Sequence, residues 1–258
     1  MDAQLRSRYM QAMGIPVWRL KDTPPPVVVS SVPASLERNP SPIPPLSGEG
    51  GRDVVVSSSS PDKGRAGRVS YSHMDWQELR ATVLACTRCD ISKTRANAVF
   101  GIGNQQADWM VIGEAPGAEE DKQGEPFVGK AGQLLNNMLL AIGMPRATVY
   151  IANILKCRPP NNRDPKPDEA TNCRGYLERQ IELVNPALIL VVGRIAAQNL
   201  LQTDAPLARL RGREHRAPLT GTPVIVTYHP AYLLRQPADK RKAWQDLLLA
   251  REISARSA

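Results

Sequence analysis

Four cysteines, Cys86, Cys89, Cys157 and Cys173, are the whole cysteine supply of this 258-residue chain. Two disulfides are one use for them, but a chain this long can bury a core without covalent staples. Its opening residues, Met-Asp-Ala-Gln-Leu-Arg, also read as no secretory signal. A reducing compartment is therefore expected. There a Cys-x-x-Cys pair with two distant cysteines reads as a metal-ligand set, because thiolates suit zinc or an iron-sulfur cluster. A zinc ribbon would carry a second Cys-x-x-Cys knuckle. Here Cys157 and Cys173 are separated by a stretch holding Asp164, Pro165 and Pro167, which loosens the zinc reading. A 4Fe-4S cluster, structural zinc and unrelated buried thiols stay open at this point, in that order.

Three other groups of residues could do chemistry. Gly113-Glu114-Ala115-Pro116-Gly117 runs on into Glu119, Glu120 and Asp121, so glycine and proline fix a tight loop with a carboxylate at its root. Asn153 stands four residues before Cys157 and the Arg158-Pro159-Pro160 run. His229 is followed by Pro230 and, shortly after, by Leu233, Leu234 and Arg235. A carboxylate, an amide and an imidazole make an active site only if the fold brings them together.

The elements that must do so are legible as short apolar runs. Residues 109–112, 149–152, 188–192 and 224–227 read as strands, and each informative group above follows one of them. Helical spacing runs through about 74–86, 132–142, 168–184, 194–201 and 239–253. Continuous apolar strands alternating with helices predict a three-layer α/β/α sandwich around a mainly parallel four-stranded sheet. Ligands of such sheets bind beyond the carboxyl ends of the strands, where these residues fall.

Composition divides the chain at about residue 70. Between about 22 and 67 it is crowded with Pro, Ser and Gly, including Pro24-Pro25-Pro26 and Ser57-Ser58-Ser59-Ser60. Such a segment buries too little apolar surface to offset its chain entropy, so residues 1–70 are expected to be a largely disordered extension. Leu5, Tyr9, Met13 and Trp18 form a loosely helical patch, read as a transient helix or as a docking site for a replication or repair protein. Residues 71–258 read as one catalytic domain. No apolar stretch approaches the length of a membrane span. Lys and Arg number 33 against 25 Asp and Glu, and the resulting +8 favours a polyanionic partner.

Taken together, these motifs resemble the iron-sulfur, or family 4, uracil-DNA glycosylases. The resemblance is carried by Gly113 to Gly117, by Glu125-Pro126-Phe127-Val128-Gly129-Lys130-Ala131-Gly132, by Asn153 with Lys156-Cys157-Arg158-Pro159-Pro160, and by His229-Pro230 with Leu233-Leu234-Arg235. It covers about 75–253 and leaves out the N-terminal extension. It implies a cytoplasmic, monomeric repair enzyme that flips uracil out of single- or double-stranded DNA and hydrolyses its glycosidic bond. All four cysteines stand where that family keeps the ligands of a structural cluster.

The resemblance also implies roles. Phe127 would stack on the flipped ring, and Asn153 would read its edge, accepting from N3-H and donating to O4. His229 would stabilise charge developing at uracil O2. Gly113, Ala115 and Glu120 would shape the pocket, Glu120 helping to refuse the methyl group of thymine. Better known uracil-DNA glycosylases have an Asp where this chain has Ala115, so water positioning has no direct substitute. Glu114 is the nearest carboxylate, expected either to orient water or to brace the loop by accepting backbone N-H groups. Leu233 and Leu234 are candidate wedges into the duplex. Arg209, Arg211, Arg213, Arg216, Arg235, Lys240, Arg241 and Lys242 are candidate phosphate contacts. Two alternatives are weighed against this reading. One is a covalent uracil-DNA-binding relative that traps the sugar with His215. The other is a non-enzymatic iron-sulfur module serving a polymerase.

Overall fold

The computed structural model of the protein describes residues 71–257. The expected N-terminal extension and its docking patch lie outside the described residues. Strands β2 (Trp109–Gly113), β3 (Tyr150–Asn153), β4 (Leu188–Val192) and β6 (Pro223–Thr227) are buried along their whole length. They pair in parallel, β3 with β2, β2 with β4 and β4 with β6. Two short strands, β1 (Ile102–Gly103) and β5 (Glu214–Arg216), extend this centre antiparallel at its two edges, giving the order β1-β3-β2-β4-β6-β5.

Side chains that alternate along a strand face opposite layers. Trp109, Val111, Leu190 and Ile225 share one core with Leu135 and Met138 of helix α3 (Lys130–Ala141) and Trp244 and Leu247 of α8 (Lys240–Ser257). Met110, Ile112, Ile189 and Val224 share the other with Leu177 and Ile181 of α4 (Pro167–Val184) and Ala196 and Ala197 of α5 (Arg194–Leu201). The sheet is thus covered on both faces, as its apolar strands require. Helix α1 (Trp76–Leu84) packs Leu79 and Val83 beside Tyr176 of α4. It starts at Asp75, whose carboxylate caps the N-H groups of Gln77 and Glu78. Three short helices complete the domain, α2 (Ala118–Gln123), α6 (Leu207–Leu210) and α7 (Pro230–Arg235). No helix among the described residues is long and apolar enough to cross a membrane.

The chain leaves β2 toward β3 on one side and returns to β4 on the other. That reversal opens a crevice beyond the carboxyl ends of the central strands.

Candidate functional site

A cavity of about 440 Å³ occupies this crevice, and Glu114, Ala115, Glu120, Phe127, Asn153 and His229 line it together. Gly113 ends β2 in register with Asn153 at the end of β3. A Cβ at Gly113 would lie 2.5 Å from Asn153 Oδ1 and 2.6 Å from Phe127 Cζ, so glycine is what lets that ring and amide approach the strand end.

Asn153 is only 2% exposed, and its Oδ1 is buried without a hydrogen-bond partner. An orphaned buried acceptor costs about 1–3 kcal/mol. A ligand N-H arriving in the cavity would remove that cost. The Asn153 backbone is held from behind, where its carbonyl accepts from Lys156 Nζ at 2.9 Å. Lys156 is itself buried and donates to Gln180 Oε1 at 2.6 Å, and Gln180 donates on to the Phe100 carbonyl at 2.9 Å.

His229 caps the N-terminus of α7, its Nδ1 accepting the Ala231 N-H at 3.1 Å. Burial, seconded by the nearby charge of Arg235, lowers the imidazole pKa to about 4, with Glu120 opposing. At neutral pH the ring is therefore uncharged, and with Nδ1 engaged as an acceptor its proton sits on Nε2. That tautomer offers the cavity a donor. The Phe127 ring lies 5.7 Å from the imidazole, centroid to centroid, at 30°.

The two carboxylates divide the work expected of one. Glu120 braces the loop: Oε2 accepts from the Gly117 N-H at 3.1 Å, and Oε1 accepts from Val128 and Gly129, each at 3.0 Å. Glu114 has a different environment. Burial first, then the charge of Asp164, raises its pKa to about 7, with Arg194 opposing. A carboxyl poised near neutrality inside a cavity has the character of a catalytic group.

Cys157 and Cys173 belong to the core under α4 and α5, Cys89 packs against that core, and Cys86 packs against the core of Leu79 and Tyr176. Cys157 and Cys173 are buried, Cys86 and Cys89 half-buried, and all four are free thiols. Burial raises the Cys89 pKa to about 11 and the Cys173 pKa to about 12, and the charge of Cys157 adds to both shifts. The charge of Cys86 acts likewise on Cys89 and Cys157, so the four sulfurs share one neighbourhood. Arg95 Nη1 donates to Cys157 Sγ at 2.8 Å, placing a permanent cation beside them. Among the described residues no three His, Cys, Asp or Glu converge as ligands of a single ion. Four thiols have the donor chemistry of a zinc or an iron-sulfur ligand set.

Some candidates are placed elsewhere. Leu233 is fully buried in the core and cannot wedge into DNA, whereas Leu234 is 45% exposed on α7. Arg211 is committed inward, paired with Asp246 at 2.7 Å and stacked 4.1 Å over the Tyr228 ring. Arg216 and Lys242 pair with Glu214 and Asp239, and Lys240 is buried. Arg209, Arg213, Arg235 and Arg241 are exposed, Arg235 on the cavity rim. His215 bonds the Leu210 carbonyl at 2.7 Å and lies outside the cavity lining. Sequence reasoning missed the supporting roles of Lys156, Gln180 and Arg95. A lysine inside the apolar run Ile154-Leu155-Lys156-Cys157 was a usable signal for the first, since a buried ammonium needs partners.

Residues 100–248 match the profile of the Uracil DNA glycosylase superfamily. Similar curated proteins are named type-4 uracil-DNA glycosylases. That of Archaeoglobus fulgidus is 47% identical over 161 residues, 60% of this chain and 81% of that protein. That of Thermotoga maritima is 43% identical over 159 residues, 61% of this chain and 82% of its own. That of Pyrobaculum aerophilum is 41% identical over 182 residues, covering 68% and 93% respectively.

Proposed function

The chain belongs to the uracil DNA glycosylase superfamily, and from that premise we propose how its cavity works. It is a type-4 uracil-DNA glycosylase, a hydrolase of DNA repair that removes uracil and leaves an abasic site. Excision requires a base stacked in DNA to be extruded into a pocket before water can cleave its bond to deoxyribose.

The observation that carries the site assignment is the buried, unpartnered Oδ1 of Asn153 at the end of β3. Uracil N3-H is a donor for that acceptor, and the side-chain amide can give to O4. Cytosine presents the reverse pattern, so it would leave the same acceptor unsatisfied. The bond from Lys156 to the Asn153 carbonyl holds the residue whose side chain must not turn over. Phe127 supplies a flat face for the ring, and Gly113 supplies the room.

Bond cleavage leaves negative charge on uracil and positive character on the sugar. The Nε2-H of neutral His229 is a preorganised donor for charge at O2, an interaction worth about 3–4 kcal/mol in comparable sites. Glu114, ionised above about pH 7, supplies the opposite charge and a base for the attacking water. Ala115 lines the cavity without a polar group, which leaves Glu114 as the water-handling carboxylate of this loop. Glu120 shapes the wall against thymine by locking the loops at Gly117 and Gly129.

Cys86, Cys89, Cys157 and Cys173 would hold a 4Fe-4S cluster. When bound it supplies a structural tie among α1, the segment after β3, and α4. Exposed Arg209, Arg213, Arg235 and Arg241 would meet phosphates, and Leu234 would fill the gap left by the base. Uracil release from single-stranded DNA and from U·G and U·A duplexes tests the whole reading. Release from all three is expected; none from any would contradict it.

A further inference from the structure

Phe127 has a φ of 54°, in the left-handed region where a bulky side chain stands only when its surroundings over-determine it. The surroundings here are specific. Ahead of it, the Glu120 carboxylate takes the N-H groups of Val128 and Gly129. Beside it, helix α3 approaches so closely that a Cβ at Gly132 would lie 1.8 Å from the Phe127 carbonyl oxygen. The remaining restraint comes from Arg146, in a single 3-10 turn between α3 and β3. Its Nη2 donates to the Pro126 carbonyl at 2.6 Å and its Nη1 to the Phe127 carbonyl at 3.2 Å. Nη1 also donates to Asn136 Oδ1 of α3 at 3.1 Å, so the fork is anchored to the helix.

With the Pro126 carbonyl held before Phe127, its own carbonyl held after it, and the next two N-H groups held beyond, little freedom is left in its φ and ψ and so in the direction of its Cα–Cβ bond. We propose that Arg146, which does not line the cavity, is the positioning residue that aims the Phe127 ring and thereby sets how tightly the extruded pyrimidine is gripped. A planar guanidinium reaches two successive carbonyls and an amide at once, which a lysine ammonium on a flexible stem does only in part. This inference rests on the stacking role given to Phe127 above.

A double-mutant cycle in the full-length, metal-loaded protein tests it, with R146Q, R146K, F127A and the double variant F127A/R146Q. The readouts are kcat/KM for uracil release and the inhibition constant of free uracil. R146Q is expected to lower kcat/KM about 10-fold and weaken inhibition by free uracil in proportion, while in the F127A background the same change costs less than about 2-fold. R146K should restore part of both. Should R146Q fail to fold, R146K carries the cycle, with a loss of about 3-fold alone and none on F127A. Additive losses in the two backgrounds, or no loss in wild type, would overturn the inference while leaving the activity reading intact. A wild-type protein that releases no uracil would overturn both.

Discussion

Glu114 and His229 face the same cavity, and burial drives each toward its uncharged form. The consequences differ because their charges differ. For the carboxylate, with its pKa raised to about 7, the ionised form predominates only above that pH. For the imidazole, lowered to about 4, the neutral donor persists across the whole working range. Activity is therefore expected to rise as pH passes through about 7 and then level, with no limb from His229 above pH 5. In Glu114→Gln the limb should vanish and the plateau fall; a pH–rate profile that keeps its limb in the variant would remove Glu114 from the chemistry. Stability gives the matching sign. A carboxyl that binds its proton more tightly folded than unfolded contributes stability below about pH 4.5, which is lost as pH rises through about 7. Glu114→Gln should accordingly show a higher Tm than wild type at pH 8, measurable by calorimetry.

At the scale of elements, the site depends on how closely strand ends and helices approach. Gly132→Ala would drive a methyl into the Phe127 carbonyl, and a loss of about 3 kcal/mol in urea denaturation is expected, the upper range for overpacking. The strands that carry the site were readable because 109–112, 188–192 and 224–227 are continuous apolar runs with no alternative use than a doubly covered sheet. The edges were not. β1 has two residues, and Glu214-His215-Arg216 of β5 has no apolar pattern to read. Leu233 and Leu234 show a finer limit. One step along a helix rotates a side chain by about 100°, so adjacent leucines face different ways and only the packing partners decide which is buried. Arg146 was invisible for another reason: its partners are mostly backbone carbonyls, which every sequence supplies. By contrast Asn153, the last residue of β3, and His229, two residues past β6, were legible as polar groups at the ends of apolar runs.

At the scale of the molecule, four cysteines from three separate segments and an excess of basic residues are each expected to have a global readout. Anaerobically purified protein should carry about four irons per chain, and Cys173→Ala should lose them together with cooperative thermal unfolding. Stoichiometric zinc in place of iron would contradict the cluster assignment. Binding to uracil-containing duplex should weaken steeply with salt, and Arg235→Ala should reduce the slope of log K against log salt by about one. An unchanged slope would take Arg235 off the phosphate backbone. The central claim is that one cavity, closed by Asn153 and His229, excises uracil from DNA. Its most direct test is single-turnover uracil release by wild type, Asn153→Ala and His229→Ala. Wild type should release uracil, each variant should be slowed about 100-fold or more while remaining folded, and unchanged release in both would contradict the account.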